Sequence, residues 1–191
     1  MPLTIIIPSK ELFDEANNRF INVKETTLVL EHSLISISKW EAKYKKPFLI
    51  EGSMDTVDKV LYYIKCMTIT PQNVDEFVYS CINEDQIKKI VEYINDPMTA
   101  TWFSEDKLPV DKKKKKKEIL TSEVIYWEMT AFNIPQTFEK WHLNRLLTLI
   151  RVCAAKNEEQ YGDKNKMSKA DIMKRNAALN AQRRAKLHSK G

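Results

Sequence analysis

The order of apolar and polar residues divides the chain into a short β-rich beginning and a longer helical remainder. Leu3–Ile7 is a β-branched run stopped by Pro8, which is typical of a strand. Short apolar pieces flank Asn17 and Asn18, two residues that tolerate the positive φ of a hairpin turn. A further strand is predicted by the alternation of Leu28, Leu30 and His32. The pattern therefore predicts a small N-terminal antiparallel sheet over about residues 3–32.

From about residue 33 to residue 155 the apolar positions follow the period of a helix. Ser53 is the expected N-cap of one helix, and Asn83 with Gln86 forms a capping-box pattern at the start of another. The longest apolar face is formed by Leu143, Leu146, Leu147, Ile150, Cys153 and Ala154. Helices are predicted within the segments HSLISISKWEAKY, SMDTVDKVLYYIKCM, NEDQIKKIVEYIN, TSEVIYWEMTAFNIP and TFEKWHLNRLLTLIRVCAAKN.

Two polar segments interrupt or follow the helices. Residues 104–118 are rich in lysine and are predicted to form an exposed loop, and residues 156–167 are predicted to form a linker. Ser168 and Asp171 have capping-box spacing, so residues 168–188 are predicted to form a basic C-terminal helix or tail. We therefore expect an α+β fold, predominantly α-helical, with a body over residues 1–155 and an appended C-terminal helix.

The composition argues against several classes of protein. With only three glycines in 191 residues, the chain does not suit a glycine-rich nucleotide-binding fold. Cys66, Cys81 and Cys153 are far apart, so neither a zinc site nor a redox motif is expected, and no cofactor is predicted. The sequence MPLTIIIPSK lacks the features of a secretion signal, and no apolar run approaches the length of a membrane span. The expected location is the cytoplasm of the cell that makes the protein.

The positive charge is concentrated at the end of the chain. Residues 164–191 hold nine Lys or Arg and one acid, a net charge of +8, which leaves −3 on the remainder. The tail contains no aromatic residue for stacking on bases, so nucleic acid is a less favoured partner. The lysine run at residues 112–117 is interpreted as a solvated loop.

Residues that could carry catalysis have simpler explanations. Glu31, His32 and Ser33 contain the residue types of a triad, but adjacent residues do not converge, and Ser33 fits an N-cap. Carboxylates such as Glu123 and Asp58 lie near predicted helix starts, where they complement the helix dipole. The sequence gives no positive support for an enzyme.

Candidate partner-binding residues lie on the last body helix and in the tail. Trp141 and Arg145 are i, i+4 neighbours and Arg151 lies on the same general side, a combination common at binding hot spots. The alternative is that Trp141 packs on the body and the arginines pair with Glu128 or Glu139. The candidate residues of the tail are Lys174, Arg175, Arg183 and Arg184.

Several long phrases carry a resemblance to a known family. They are LEHSLISISKWEAKYKKPFL, YIKCMTIT, YINDPMTATWF, FEKWHLNRLLTLIRVC and MSKADIMKRNAALNAQRRAKLHSKG. From about Thr27 to its end, the chain resembles the tail assembly chaperones encoded among the tail genes of long-tailed bacteriophages (siphoviruses). The resemblance implies a non-enzymatic helper in the host cytoplasm. It would solubilise the phage tape-measure protein and help to recruit the tail-tube protein.

Two alternatives from other classes stay open at the level of sequence. One is a virion structural protein, such as a head–tail connector or tail-completion subunit, and it would be retained in purified particles. The other is a non-specific nucleic-acid-binding protein that acts through its basic tail.

Overall fold

The computed structural model describes residues 2–15, 17–69, 74–101, 103, 119–159, 173–174 and 177–179. The chain divides into two compact units, residues 1–150 and 151–191. The predicted lysine-rich loop at residues 104–118 lies outside the described residues. So do most of the predicted linker and tail.

The N-terminal segment of the first unit forms four short antiparallel strands. They are β1 (Leu3–Ile7), β2 (Lys10–Asp14), β3 (Arg19–Val23) and β4 (Thr26–Leu30). β1 pairs with β4 and β2 pairs with β3. The two pairs share one register. Ile7 pairs with Thr26, and Lys10 pairs with Val23, each of which is three residues closer to the turn. The four strands therefore follow one long hairpin that is interrupted after β1, and the predicted N-terminal antiparallel sheet is confirmed.

The tip of this hairpin turns where the sequence predicts it. Asn18 has a φ of 49°, in the left-handed region that asparagine tolerates. The Asn17 side-chain amide donates to the Asp14 carboxylate at 2.7 Å, and Arg19 pairs with the same carboxylate at 3.5 Å. The hydrogen bond from Asn17 is the main reason that the pKa of Asp14 is lowered. Local polar contacts thus close the turn between β2 and β3.

Helices account for most of the remaining described residues. They are α1 (Leu34–Tyr44), α2 (Val57–Met67), α3 (Glu76–Ser80), α4 (Glu84–Asn95), α5 (Ser122–Ala131), a short 3-10 helix (Gln136–Lys140) and α6 (Leu143–Asn157). The predicted α+β fold class with predominant helix is confirmed.

The starts of the helices test the capping predictions. Asn83 and Gln86 form the predicted capping box at α4, and the Gln86 amide also donates to the Ile6 carbonyl of β1 at 2.7 Å. Ser53 is not the N-cap of α2, which was a wrong prediction. Gly52 has a φ of 76° and Ser53 lies in the turn that follows, so the helix begins later, with Thr56 accepting from the Lys59 amide.

The core of the first unit lies between the β1–β4 pair and the helices. Trp40 on α1 is fully buried, and its indole N–H donates to the Lys59 carbonyl at 3.3 Å. Burying one large apolar side chain is worth about 1.5–3 kcal/mol. The other large, fully buried side chains are Tyr63, Ile7, Leu28, Leu30, Leu34, Ile37, Ile64, Met67, Ile125, Leu143 and Leu146.

One buried carboxylate joins three parts of this unit. Glu41 on α1 accepts the Phe48 backbone N–H and the Ser122 backbone N–H, each at 2.8 Å, and the Ser122 hydroxyl as well. Because Ser122 is the first residue of α5, the carboxylate also meets a helix N-terminus, where negative charge is favoured. Glu41 therefore links α1, the segment after it and α5.

A second polar connection joins the end of the sheet to α6. The Leu143 backbone N–H donates to the His32 carbonyl at 2.8 Å, and Ser33 and His142 form an isolated antiparallel bridge. Ser33 precedes α1 as predicted, although its hydroxyl makes no capping hydrogen bond and contacts Ser36 instead. Both histidines are buried here, at the points where α1 and α6 begin.

The second unit contains the end of α6 and two short described helical pieces, at residues 173–174 and 177–179. Their described side chains are exposed. The predicted capping box at Ser168 and Asp171 lies outside the described residues.

Candidate partner-binding surfaces

Trp141 and Arg145, two of the predicted partner-binding residues, are in direct contact. Arg145 lies in the first turn of α6, and its guanidinium carbon is 4.1 Å from the centre of the Trp141 ring. The Phe138 ring stacks on Trp141 with a centroid distance of 3.9 Å and an interplanar angle of 14°. The 3-10 helix places Phe138 and the start of α6 places Arg145. We call Phe138, Trp141 and Arg145 the arginine stack.

Glu139, one of the two acids predicted as ion-pair partners of the arginines, is engaged by another residue. It accepts a hydrogen bond from the Tyr126 hydroxyl of α5 at 2.9 Å. Burial and this carboxylate raise the pKa of Tyr126 to about 12. Arg145 itself is exposed and makes a cation–π contact with Trp141. The aromatic ring therefore helps to hold the arginine side chain in place.

The other predicted partner-binding residues are not gathered at this stack by anything that the structure describes. Arg151 is exposed and belongs to the second unit, as does the exposed Lys174. Arg175, Arg183 and Arg184 lie outside the described residues. Of the seven predicted residues, the described structure joins Trp141 and Arg145.

An aromatic pair at the tip of the hairpin escaped the sequence analysis. Phe13 on β2 is directly opposite Phe20 on β3, with ring centroids 5.1 Å apart, and the two residues are 50% and 70% exposed. The next pair on the same face is Glu11 and Asn22, which are polar and exposed. The opposite face carries Leu12 and Ile21, which pack against the core. The signal was present in the sequence, because Phe13 and Phe20 flank the predicted Asn17–Asn18 turn in nearly symmetric positions.

A third exposed aromatic residue lies on α5. This helix buries Ser122, Ile125 and Met129 at spacings of three and four, which is one face of a helix. Trp127 lies on the opposite face and is 69% exposed. A large apolar side chain with this exposure contributes little to the core and suits contact with another molecule.

The groups that could support catalysis are buried or serve helix ends. His32 and His142 are enclosed in the core, and burial lowers the pKa of both. The backbone N–H of Glu123 and the side chain of Thr121 lower the pKa of Glu123 at the start of α5, and Asp55 pairs with Lys59. Within the described residues, no cluster of His, Cys, Asp and Glu side chains could hold a metal ion.

The described pocket near the sheet offers little for chemistry. It has a volume of about 350 Å³ and is partly open to solvent between β3, β4 and α3. Lys24 and Asp75 are its charged residues, and Asn22, Val23, Thr26, Val74 and Val78 complete the lining. Its lining contains no histidine, cysteine or serine.

None of the helices in the described part of the chain has the length and apolar character that a bilayer crossing requires. Comparison of the whole chain with protein-family models, with curated proteins and with solved structures found no match in any of the three. The proposed function therefore rests on the surfaces described above and on the sequence resemblance.

Proposed function

We propose that the chain is a non-enzymatic tail assembly chaperone of a long-tailed bacteriophage. It binds the tape-measure protein, a long apolar helical client, keeps it in solution and assists the recruitment of tail-tube protein. The client and the tail-tube protein come from the sequence resemblance. The structural observation that supports the proposal best is the exposed Phe13–Phe20 pair at the tip of the hairpin.

Physical chemistry favours such a pair as a client contact. Two aromatic rings held side by side on paired strands lose little conformational freedom on binding, so more of the burial energy appears as affinity. Trp127 on α5 offers a further exposed aromatic ring to a client. A chaperone needs apolar surface of this kind, because its client exposes apolar helix faces before assembly.

Co-expression tests the proposal. The soluble fraction of the tape-measure protein should rise when this chain is present, and the two proteins should co-purify. A tape-measure protein that stays insoluble, with no complex recovered, would contradict the chaperone function.

The alternative hypothesis, a structural protein of the virion, makes a different prediction. Mass spectrometry of purified particles checks it. A chaperone leaves before the tail is complete, so its peptides should be absent while tail-tube peptides are abundant. Recovery of this chain at a fixed copy number per particle would favour a connector or tail-completion subunit instead.

A further inference from the structure

We propose that Arg145 binds a carboxylate on an acidic helical segment of a protein partner, with Trp141 and Phe138 holding the guanidinium in place. The inference deepens the proposed function, on which it rests for the choice of a helical protein as the partner. It names the chemistry of one contact, and the arginine stack is its site.

Two distances define how the three side chains of the arginine stack are arranged. The centre of the Trp141 ring is 3.9 Å from the Phe138 ring centre and 4.1 Å from the guanidinium carbon of Arg145. Carbon atoms in contact are separated by about 3.5–4.0 Å, so two flat groups at these distances cannot share one face of the ring. Phe138 and Arg145 therefore cover opposite faces of Trp141.

This arrangement leaves the hydrogen-bonding edges of Arg145 available. A guanidinium that stacks uses its flat face, and its N–H groups point outward in the plane of the fork. Arg145 is exposed, and the described contact of its guanidinium is with the Trp141 ring. Glu139, one of the two predicted intramolecular partners, is engaged by Tyr126.

Helix stability does not account for an arginine at this position. The first turn of a helix carries the positive end of the dipole, so a cation there is disfavoured and an acid is preferred. The first turn of α6 contains Arg145 and no acid. The stack on Trp141 stabilises the side chain in a position that the helix alone would not favour.

The same geometry argues against a nucleic-acid base as the ligand. Proteins that bind single strands offer an open aromatic face on which a base stacks. Both faces of Trp141 are occupied, by Phe138 and Arg145. The planar fork of an oriented arginine pairs with a carboxylate or a phosphate through two parallel hydrogen bonds, so the comparison with an oligonucleotide below separates these two ligands. A helix with glutamates at i, i+4 spacing presents such carboxylates along one side.

The test measures binding of the full chain to a fluorescently labelled, alanine-based helical peptide with glutamates at i, i+4 spacing. Fluorescence anisotropy should show that Arg145→Ala weakens binding about tenfold relative to the unsubstituted chain. Arg145→Lys should also weaken binding, because it keeps the charge and loses the planar fork. Lys89→Ala, which removes an exposed cation from α4, is the control and should leave the affinity unchanged. All of these proteins carry the same basic tail, so its general attraction for acidic peptides cancels in the comparison.

Equal affinity of the unsubstituted chain, Arg145→Ala and Arg145→Lys would overturn the inference. So would an Arg145-dependent affinity for a single-stranded oligonucleotide that exceeds the affinity for the peptide. Circular dichroism confirms that each variant is folded before it is compared.

The outcome is separable from that of the proposed function. If peptide binding depends on Arg145 but the chain does not make the tape-measure protein soluble, the chaperone function is contradicted and the carboxylate site is supported. If the tape-measure protein becomes soluble but peptide binding does not depend on Arg145, only the carboxylate site is contradicted.

Discussion

The imidazole rings of His32 and His142 lie 5.0 Å apart within the buried core of the first unit. His32 shares a hydrogen bond with the Tyr63 hydroxyl, and Nε2 of His142 donates to the Tyr93 carbonyl at 2.9 Å. Nδ1 of His142 is buried, and no hydrogen-bond partner for it occurs among the described residues. Burial lowers the pKa of His32 to about 3, with a smaller effect from His142, and burial also lowers the pKa of His142.

This pair predicts that the protein loses stability in mild acid. His32 titrates near its ordinary pKa of 6.5 when the chain is unfolded and near 3 when it is folded. Below pH 6.5 the unfolded chain therefore binds more protons, so the free energy of unfolding falls as the pH drops towards 3. Each proton contributes a slope of about 1.4 kcal/mol per pH unit. Urea denaturation at pH 7.5, 6.0 and 5.0 measures this slope.

A variant separates the histidine effect from other titrations. His32→Gln removes the titrating ring and keeps an acceptor for Tyr63, so it should be less stable at pH 7.5 and should show a shallower pH slope. If the slope between pH 7.5 and 5.0 is the same in His32→Gln as in the unsubstituted chain, the histidine explanation is wrong.

The buried carboxylate of Glu41 predicts a large loss of stability on truncation. Glu41→Ala leaves the backbone N–H groups of Phe48 and Ser122 buried without an acceptor. We expect the free energy of unfolding to fall by about 2–4 kcal/mol. Lys39→Ala, at an exposed position of the same helix, should change it by less than about 0.5 kcal/mol. Equal effects of the two substitutions in urea denaturation would contradict the linking role of Glu41.

The end of α1 offers a stabilising substitution. Lys45 follows the helix with a φ of 53° and a ψ of 35°, a left-handed conformation that costs a lysine about 1 kcal/mol. Lys45→Gly should raise the free energy of unfolding by about 0.5–1 kcal/mol, because glycine adopts this conformation without a Cβ clash. Lys46→Gly is the matched control: its φ is negative, so it should gain nothing. A fall in thermal stability of Lys45→Gly would refute this reading of the cap.

Local signals in the sequence predicted the elements that depend on neighbouring residues. The β-branched run before Pro8, the Asn17–Asn18 turn and the capping box at Asn83 all appear in the structure where they were predicted. Ser53 was assigned to the start of α2 because serine is a preferred N-cap residue. The turn at Gly52 and Ser53 precedes the helix, and Thr56 caps it instead.

Contacts between distant residues could not be predicted in this way. Glu41 and Ser122 are 81 positions apart, and no periodic pattern brings them together. The contact between Trp141 and Arg145 was predicted from i, i+4 spacing on one helix, but Trp141 has extended backbone (φ −68°, ψ 157°) and lies before α6. The contact forms for a different reason, because Trp141 lies between the 3-10 helix that carries Phe138 and the first turn of α6. The exposure of Phe13 and Phe20 depends on where the interrupted hairpin leaves the core, which composition does not reveal.

The exposed aromatic pair should be dispensable for folding. The double substitution Phe13→Ser and Phe20→Ser removes one cross-strand contact and no core packing, so the free energy of unfolding should fall by less than about 1.5 kcal/mol. The matched control is Glu11→Ser with Asn22→Ser, the neighbouring pair on the same face of the hairpin. Urea denaturation of both double variants checks this expectation, and global unfolding of the phenylalanine variant would show that the pair belongs to the core.

The central claim is that the hairpin aromatics bind an apolar client, and the soluble fraction of co-expressed tape-measure protein tests it most directly. The unsubstituted chain and the Glu11→Ser, Asn22→Ser variant should both keep the tape-measure protein soluble. The Phe13→Ser, Phe20→Ser variant should leave most of it in the pellet while remaining folded and soluble itself. Equal rescue by all three proteins would contradict the role of the aromatic pair, and no rescue by any of them would contradict the chaperone function.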